Sequence, residues 1–230
     1  TILNSILNSC KMKMQIYRNR RKDIKPTMEG QNKSLFQLFV PLCLETIFYM
    51  LSGMVDTLML SSVGDQAVGA VGTANTYIGV FIIMYSVVSM GMLAVMTQNI
   101  GAGRPGIACQ AKTLGLWFNG ILGVVMSVFL FFCSDGILYV VGIAPALKEP
   151  AVQYLRIVGG GSILNAMIPI LAGYLRAFGY TKQPLIATVT GNILNFILNA
   201  VFLFRFHLGV QGVASATVIS KVVNLSLIHI

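Results

Sequence analysis

The sequence predicts an all-α integral membrane protein with six transmembrane helices. Three observations lead there. Charged residues make up 10% of the chain, against about 25% in soluble domains. Mean hydropathy is +0.78. Long stretches carry no charge at all: none falls between Asp65 and Arg104, Lys112 and Asp135, Arg156 and Arg176, or Lys182 and Arg205. A hydrocarbon core of about 30 Å needs about 20 apolar residues as helix. Backbone groups in lipid have to bond internally, so spans are helices or a closed barrel. A barrel would show short alternating segments; these runs are continuous and rich in Leu, Ile, Val, Phe, Gly and Met.

Six spans fit, at 35–61, 69–100, 108–141, 151–176, 184–206 and 210–228. The first carries Pro41 near its start, which removes a backbone bond and favours a kink. It closes at Ser61-Ser62-Val63-Gly64-Asp65. The second and third exceed one bilayer thickness and are expected to tilt or extend beyond the membrane. They are separated by Gly101-Ala102-Gly103-Arg104-Pro105-Gly106, where glycine frees the backbone and Pro105 stops simple continuation of the helix. The fourth holds Gly159, Gly160 and Gly161, a candidate hinge, and Pro169, a second candidate kink. The loop Arg176 to Pro184 joins it to the fifth, with Pro184 suited to a first helical turn. Glycines at Gly69, Gly72, Gly79, Gly91, Gly115, Gly120 and Gly123 are expected to mark close helix–helix contacts.

Net charge is +9, yet the positions exclude a nucleic-acid patch. Eight of the 16 Lys and Arg precede the first span, and the rest flank spans, except Lys221. With the N-terminus inside, those eight join Arg104, Lys112, Arg176 and Lys182 on the cytoplasmic side. Lys148, Arg156 and Arg205 fall outside, and the imbalance supports that topology. Residues 1–33 form a basic cytoplasmic tail, and 34–230 a transmembrane lobe. The chain starts at Thr1, and Met28 is a candidate true start. Residues 1–27 therefore have two readings, non-native upstream sequence or a tail held at an anionic membrane surface. Starting at Met28 leaves five basic residues inside against three outside, a much weaker bias. The sixth span stops without a closing loop, so a fragment is expected.

The polar groups inside the spans become the functional question. Glu45 and Asp56 lie 11 residues apart in the first span, about 20° apart after three turns and so on one face. Ser52 shares that stripe. In the fifth span Thr188, Asn192, Asn195 and Asn199 recur at helical spacing on one face. A side-chain amide offers a neutral oxygen to a hard cation and a partner to a carboxyl group. The alternative is plain interhelical hydrogen bonding. Thr217 follows in the sixth span within Gly212-Val-Ala-Ser-Ala-Thr217.

No Ser/His/Asp set, H-E-x-x-H, P-loop or glycine fingerprint is present. An enzyme, and an ATPase in particular, is not indicated. No cofactor is expected, and driving energy would come from an ion gradient. Cys10, Cys43, Cys109 and Cys133 show no C-x-x-C pairing and suggest neither a disulfide framework nor zinc.

Taken in order, several segments carry a resemblance. They are Pro41 with Val55-Asp56-Thr57, Gly69-Ala-Val-Gly72, Asn99-Ile-Gly-Ala-Gly103, Leu175 to Pro184, Gly191-Asn-Ile-Leu-Asn195-Phe-Ile-Leu-Asn199, and Gly209-Val-Gln-Gly212 to Thr217. The chain resembles the N-terminal half of the multidrug and toxic compound extrusion (MATE) transporters, of the NorM/DinF kind. The resemblance implies twelve helices in two six-helix lobes, of which this chain is the first. It implies a plasma-membrane antiporter that exports organic, often cationic, drug-like compounds in exchange for Na⁺ or H⁺. It also implies a cation site at Asp56, Asn195, Asn199 and Thr217. From the residues themselves, Glu45, Ser52, Thr188 and Asn192 are candidate cavity-lining groups and Pro41 is a candidate helix switch. One position departs: Asn199 stands where many members have an aspartate, which leaves the coupling ion open. The missing C-terminal lobe is then an obligate partner, besides the bilayer. The alternatives are a lipid-linked sugar flippase of the same superfamily, which would place several Arg or Lys in its cavity, and a non-transporting membrane fragment. Sequencing downstream of Val223 tests the fragment expectation: a second apolar block of six spans should follow in frame.

Overall fold

The computed structural model describes residues 35–229, with side chains over 39–229. The basic tail predicted at 1–33 lies outside the described residues. The chain forms α1 (Leu35–Ser61), α2 (Asp65–Gly101), α3 (Pro105–Val140), α4 (Pro145–Gly160), α5 (Ser162–Ala177), α6 (Lys182–Ala200) and α7 (Gly209–His229), with a wide helical turn at Val201–Arg205 between the last two. Five of these are each long and apolar enough to cross a membrane. The α4–α5 pair makes a sixth span, bent by 43°. All six predicted spans are therefore present among the described residues, and the protein is a multi-pass membrane protein.

Large apolar side chains point outward along the helices. Leu114, Ile121, Phe132 and Val87 are all more than half exposed. In water such a surface would drive aggregation; in lipid it is the solvent-facing surface. Inside, an apolar cluster around Leu60, Ala74, Ile78, Leu130, Leu155 and Val213 fills one end. Two smaller ones, around Ile170 and Leu175 and around Met96 and Tyr174, fill the other.

Between these clusters sits a polar knot that nothing in the hydrophobic pattern reveals. The fully buried Asn119 of α3 donates from Nδ2 to the Tyr85 carbonyl at 3.3 Å, the Ser89 hydroxyl at 3.2 Å and the Ala166 carbonyl at 3.0 Å. Tyr85 and Ser162 share a hydroxyl–hydroxyl bond of 2.9 Å. Three helices, α2, α3 and α5, are thus tied at mid-height. Apolar side chains gain nothing from leaving lipid tails for one another, so directional bonds and close packing supply the specificity.

The fourth span breaks at Gly161 rather than at Pro169. Pro169 sits inside the uninterrupted α5, whereas α4 ends at Gly160 and α5 begins at Ser162. A break frees backbone donors that lipid cannot satisfy. The Ser127 hydroxyl of α3 accepts one of them, from the Ile163 amide at 3.1 Å. Val218 of α7 packs against the break, 3.2 Å from where a Cβ on Gly161 would stand. Pro41 likewise lies within an uninterrupted helix.

The glycine expectations divide by face. A Cβ on Gly123 would lie 2.9 Å from the Ile163 Cα and the Ala166 Cβ, and one on Gly159 would lie 2.8 Å from the Leu130 Cβ. These, with Gly115, are true contact glycines. Gly72, Gly79, Gly91 and Gly120 have nothing within 4 Å. Among the described residues those four make no close helix contact within the lobe: helical spacing alone does not say which face meets a neighbour. Gly103 (φ 73°) and Gly179 (φ 82°) close α2 and α5 in the left-handed region, as the predicted turns require.

Gly123→Ala or Gly159→Ala should lower stability by about 1–3 kcal/mol through overpacking, read as an earlier melting midpoint in detergent. Gly72→Ala should leave that midpoint unchanged. Asn119→Leu should cost about 1–2 kcal/mol, within the range of interhelical hydrogen bonds in membranes.

Candidate functional site

The two stripes of polar residues predicted on the first and fifth spans face each other. Helices α1 and α6 pack side by side and run in the same direction. Asn199 donates from Nδ2 to Asp56 Oδ1 at 2.6 Å and, less closely, to Asn195 Oδ1 at 3.3 Å. Asn199 is fully buried, Asn195 is 5% exposed, and Asp56 is half-buried. The carboxylate is held in a low-dielectric setting where an uncompensated charge is costly. Its amide partner replaces part of the lost hydration. The Asn199 Oδ1 is buried without a partner, so one good acceptor at the cluster is unsatisfied.

Thr217 joins the cluster less directly. Its hydroxyl donates to its own helix, to Val213 O at 2.9 Å, and no bond from it to Asp56 is present. The link runs through Tyr154 of α4. That phenol is buried, lies within hydrogen-bonding reach of Thr217 and of Asn75 on α2, and feels the Asp56 charge. Asp56, Asn195, Asn199 and Thr217 are therefore gathered at the meeting of α1, α4, α6 and α7. Tyr154 and Asn75 were not flagged in the sequence. Tyr154 sits between Gln153 and Leu155 in a helix whose visible features are its glycines, and Asn75 belongs to the short polar run Thr73-Ala74-Asn75-Thr76 of a long span.

The other candidates lie elsewhere. Glu45 is not an open cavity group: its Oε1 accepts from Arg176 Nη2 at 2.6 Å, a partly buried ion pair that ties α1 to the end of α5. Glu45 Oε2 and Arg176 Nε are buried without partners. The sequence placed Glu45 on the Asp56 stripe as a candidate cavity group and Arg176 at the start of a loop, because a tertiary ion pair leaves no mark in local spacing. Asn192 donates to the Phe48 carbonyl of α1 at 2.9 Å, which is helix–helix attachment. Ser52 and Thr188 are half-buried on the same stripes and bond to none of the four cluster residues.

Held against what an alkali cation needs, the cluster is a partial fit. It offers one carboxylate, the free Asn199 oxygen and neutral hydroxyls, where hard cations favour several oxygen ligands and negative charge. The Asn199 amide also turns its NH₂ group, not its oxygen, toward Asp56. That arrangement suits a hydrogen-bonded carboxyl group more naturally than a metal-ligand shell.

The chain's relatives agree with this architecture. The MatE family model matches residues 41–201. The chain is 34% identical over 196 residues to the uncharacterized transporter YisQ of Bacillus subtilis, covering 84% of this chain and 43% of that one. It is 29% identical over 204 residues to the probable multidrug resistance protein NorM of Thermotoga maritima, covering 85% and 43%. It superposes on a multidrug resistance MATE family transporter in an outward-facing conformation with a TM-score of 0.77 at 25% identity, covering 82% of this chain and 42% of that one. An inward-facing conformation matches at a TM-score of 0.74, also at 25% identity, covering 84% and 44%. The chain thus spans less than half the length of the relatives it matches. Its fold is one six-helix lobe of a MATE-type transporter, and the chain belongs to the MatE family.

Proposed function

We infer that this chain is the N-terminal lobe of a cation-coupled antiporter that exports organic, often cationic, compounds across the cytoplasmic membrane, with its N-terminus inside. The observation that carries it is the Asp56–Asn199–Asn195 cluster, a carboxylate maintained within a membrane span and clasped by amides of a neighbouring helix. Intramembrane carboxylates of this kind mark ion or proton pathways. The lobe would act with a second six-helix lobe, and substrate would pass between them.

The mechanism follows from differential binding. An external cation, Na⁺ or H⁺, reaches Asp56, with Asn195, Asn199, Thr217 and Tyr154 around it. Neutralising the carboxylate weakens its charge-assisted bond to Asn199 and so loosens α1 from α6. Pro41, near the other end of α1, supplies a place where the helix can bend. Drug release outward is favoured in the cation-loaded form, and loss of the cation inward resets the lobe. Coupling requires only that the ion bind one conformation better than the other. The similar TM-scores against outward- and inward-facing relatives support a lobe that moves largely as a body. A lipid-linked sugar flippase is disfavoured because the spans hold few cations to meet a pyrophosphate.

Asp56→Asn in the full-length protein should abolish cation-driven efflux of a fluorescent organic cation from vesicles. Expression and size-exclusion profile should be unchanged; undiminished efflux rejects the role of Asp56. Tyr154→Phe should slow efflux about fivefold, the equivalent of one hydrogen bond of about 1 kcal/mol. Rates equal to wild type would place Tyr154 outside the mechanism.

A further inference from the structure

The cluster has a charged neighbour that no step above uses. Lys221 is the thirteenth of the 21 residues of α7, about 18 Å along the helix from Gly209 at a rise of 1.5 Å per residue. An ammonium at such depth is rare and calls for a partner. Lys221 lies one turn beyond Thr217, on the same face of α7. The Cα–Cβ bonds of a helix tilt toward its N-terminus, which for Lys221 is the side of Thr217.

The register of α7 against α6 fixes its level. A Cβ on Gly191 would stand 3.3 Å from the Asn224 side-chain nitrogen. The two helices are antiparallel, so residues 220–221 come level with Asn195, and Thr217 with Asn199. Among the described residues Asp56 is the charge that acts on Lys221, and Lys221 acts on Asp56 in return. The two salt bridges present, Lys148–Asp135 and Arg176–Glu45, do not involve either group. Lys221 and Asp56 therefore interact through space without closing into an ion pair.

The charge balance follows. Counted with Lys221, the cluster carries one carboxylate and one ammonium; Asn195, Asn199, Thr217 and Tyr154 are amides and hydroxyls. A sodium ion entering it would meet no net negative charge and, in low dielectric, would be repelled by Lys221. The amide orientation at Asn199 points the same way, because Asp56 is met by hydrogen-bond donors from its own protein.

We propose that Lys221 is an ion-selectivity residue, a tethered counter-ion to Asp56 that excludes alkali cations from the cluster. The proposal rests on the assignment of Asp56 to cation coupling and narrows it: with an amide at Asn199 in place of the second carboxylate that the resemblance implies, Lys221 is set against a single carboxylate.

Equilibrium dialysis of the purified full-length protein against ²²Na⁺ in detergent tests it. Wild type should show no saturable Na⁺ binding, and Lys221→Arg should behave the same. Lys221→Met should acquire saturable binding, lost again in the Asp56→Asn, Lys221→Met double variant. Lys221→Gln takes its place if the methionine variant aggregates. Saturable Na⁺ binding by wild type overturns the proposal, as does a folded Lys221→Met or Lys221→Gln protein that gains none. The readout needs no transport. Failed export with this binding pattern intact would count against the antiporter function and leave Lys221 in place, whereas Asp56-dependent export with Na⁺ bound by wild type would do the reverse.

Discussion

Nothing inside this protein can borrow a hydrogen bond from water, and that constraint organises its structure. In the hydrocarbon layer a bare amide, hydroxyl or charge costs several kcal/mol. Polar side chains kept there are therefore held by others. Asn119 meets two carbonyls and a hydroxyl. Ser127 meets the amide released at the Gly161 break. Arg176 meets Glu45, and Asn199 meets Asp56. The first two bind α2, α3 and α5 together. The last two attach α1 to α5 and to α6.

What the sequence disclosed follows from the same constraint. Apolar runs report lipid contact directly, so the six spans were legible to within a few residues at most ends. The fourth was the exception, beginning at Pro145 instead of 151 because α4 starts in a more polar stretch containing Lys148 and Glu149. The facing stripes of Asp56 and of Asn195 with Asn199 were legible because helical periodicity places them and few polar residues compete for notice. Asn119, Tyr154 and the Glu45–Arg176 pair were hidden for a different reason. Each depends on a partner 30 or more residues away, and no local pattern encodes which helix will come alongside. Gly161 and Pro169 show the limit in another form. Both are plausible break points by residue type; the break falls at Gly161, where a hydroxyl on α3 accepts an amide beside it.

The cluster at Asp56 is likewise a product of several elements. α1 provides the charge, α6 the amides, α4 a phenol and α7 a hydroxyl and an ammonium. None of these helices could hold the arrangement alone, which is why the register set by Gly191 and Asn224 matters to a site they do not touch. Asn199 is central to it: it bonds Asp56 and Asn195 with one nitrogen and keeps its oxygen unclaimed.

The weak embedding of α1 has a mechanical consequence. Among its described side chains Leu60 alone is fully buried, and the helix is fastened at three heights by Asp56–Asn199, Phe48–Asn192 and Glu45–Arg176. A rod secured by interlocking shapes moves only when those shapes are pried apart, and all contacts resist together. A rod secured by three rivets slides once the rivets let go, and two of these three are made by carboxylates. Part of its attachment therefore depends on electric charge, so a change at one carboxylate alters how a helix roughly 40 Å long is held.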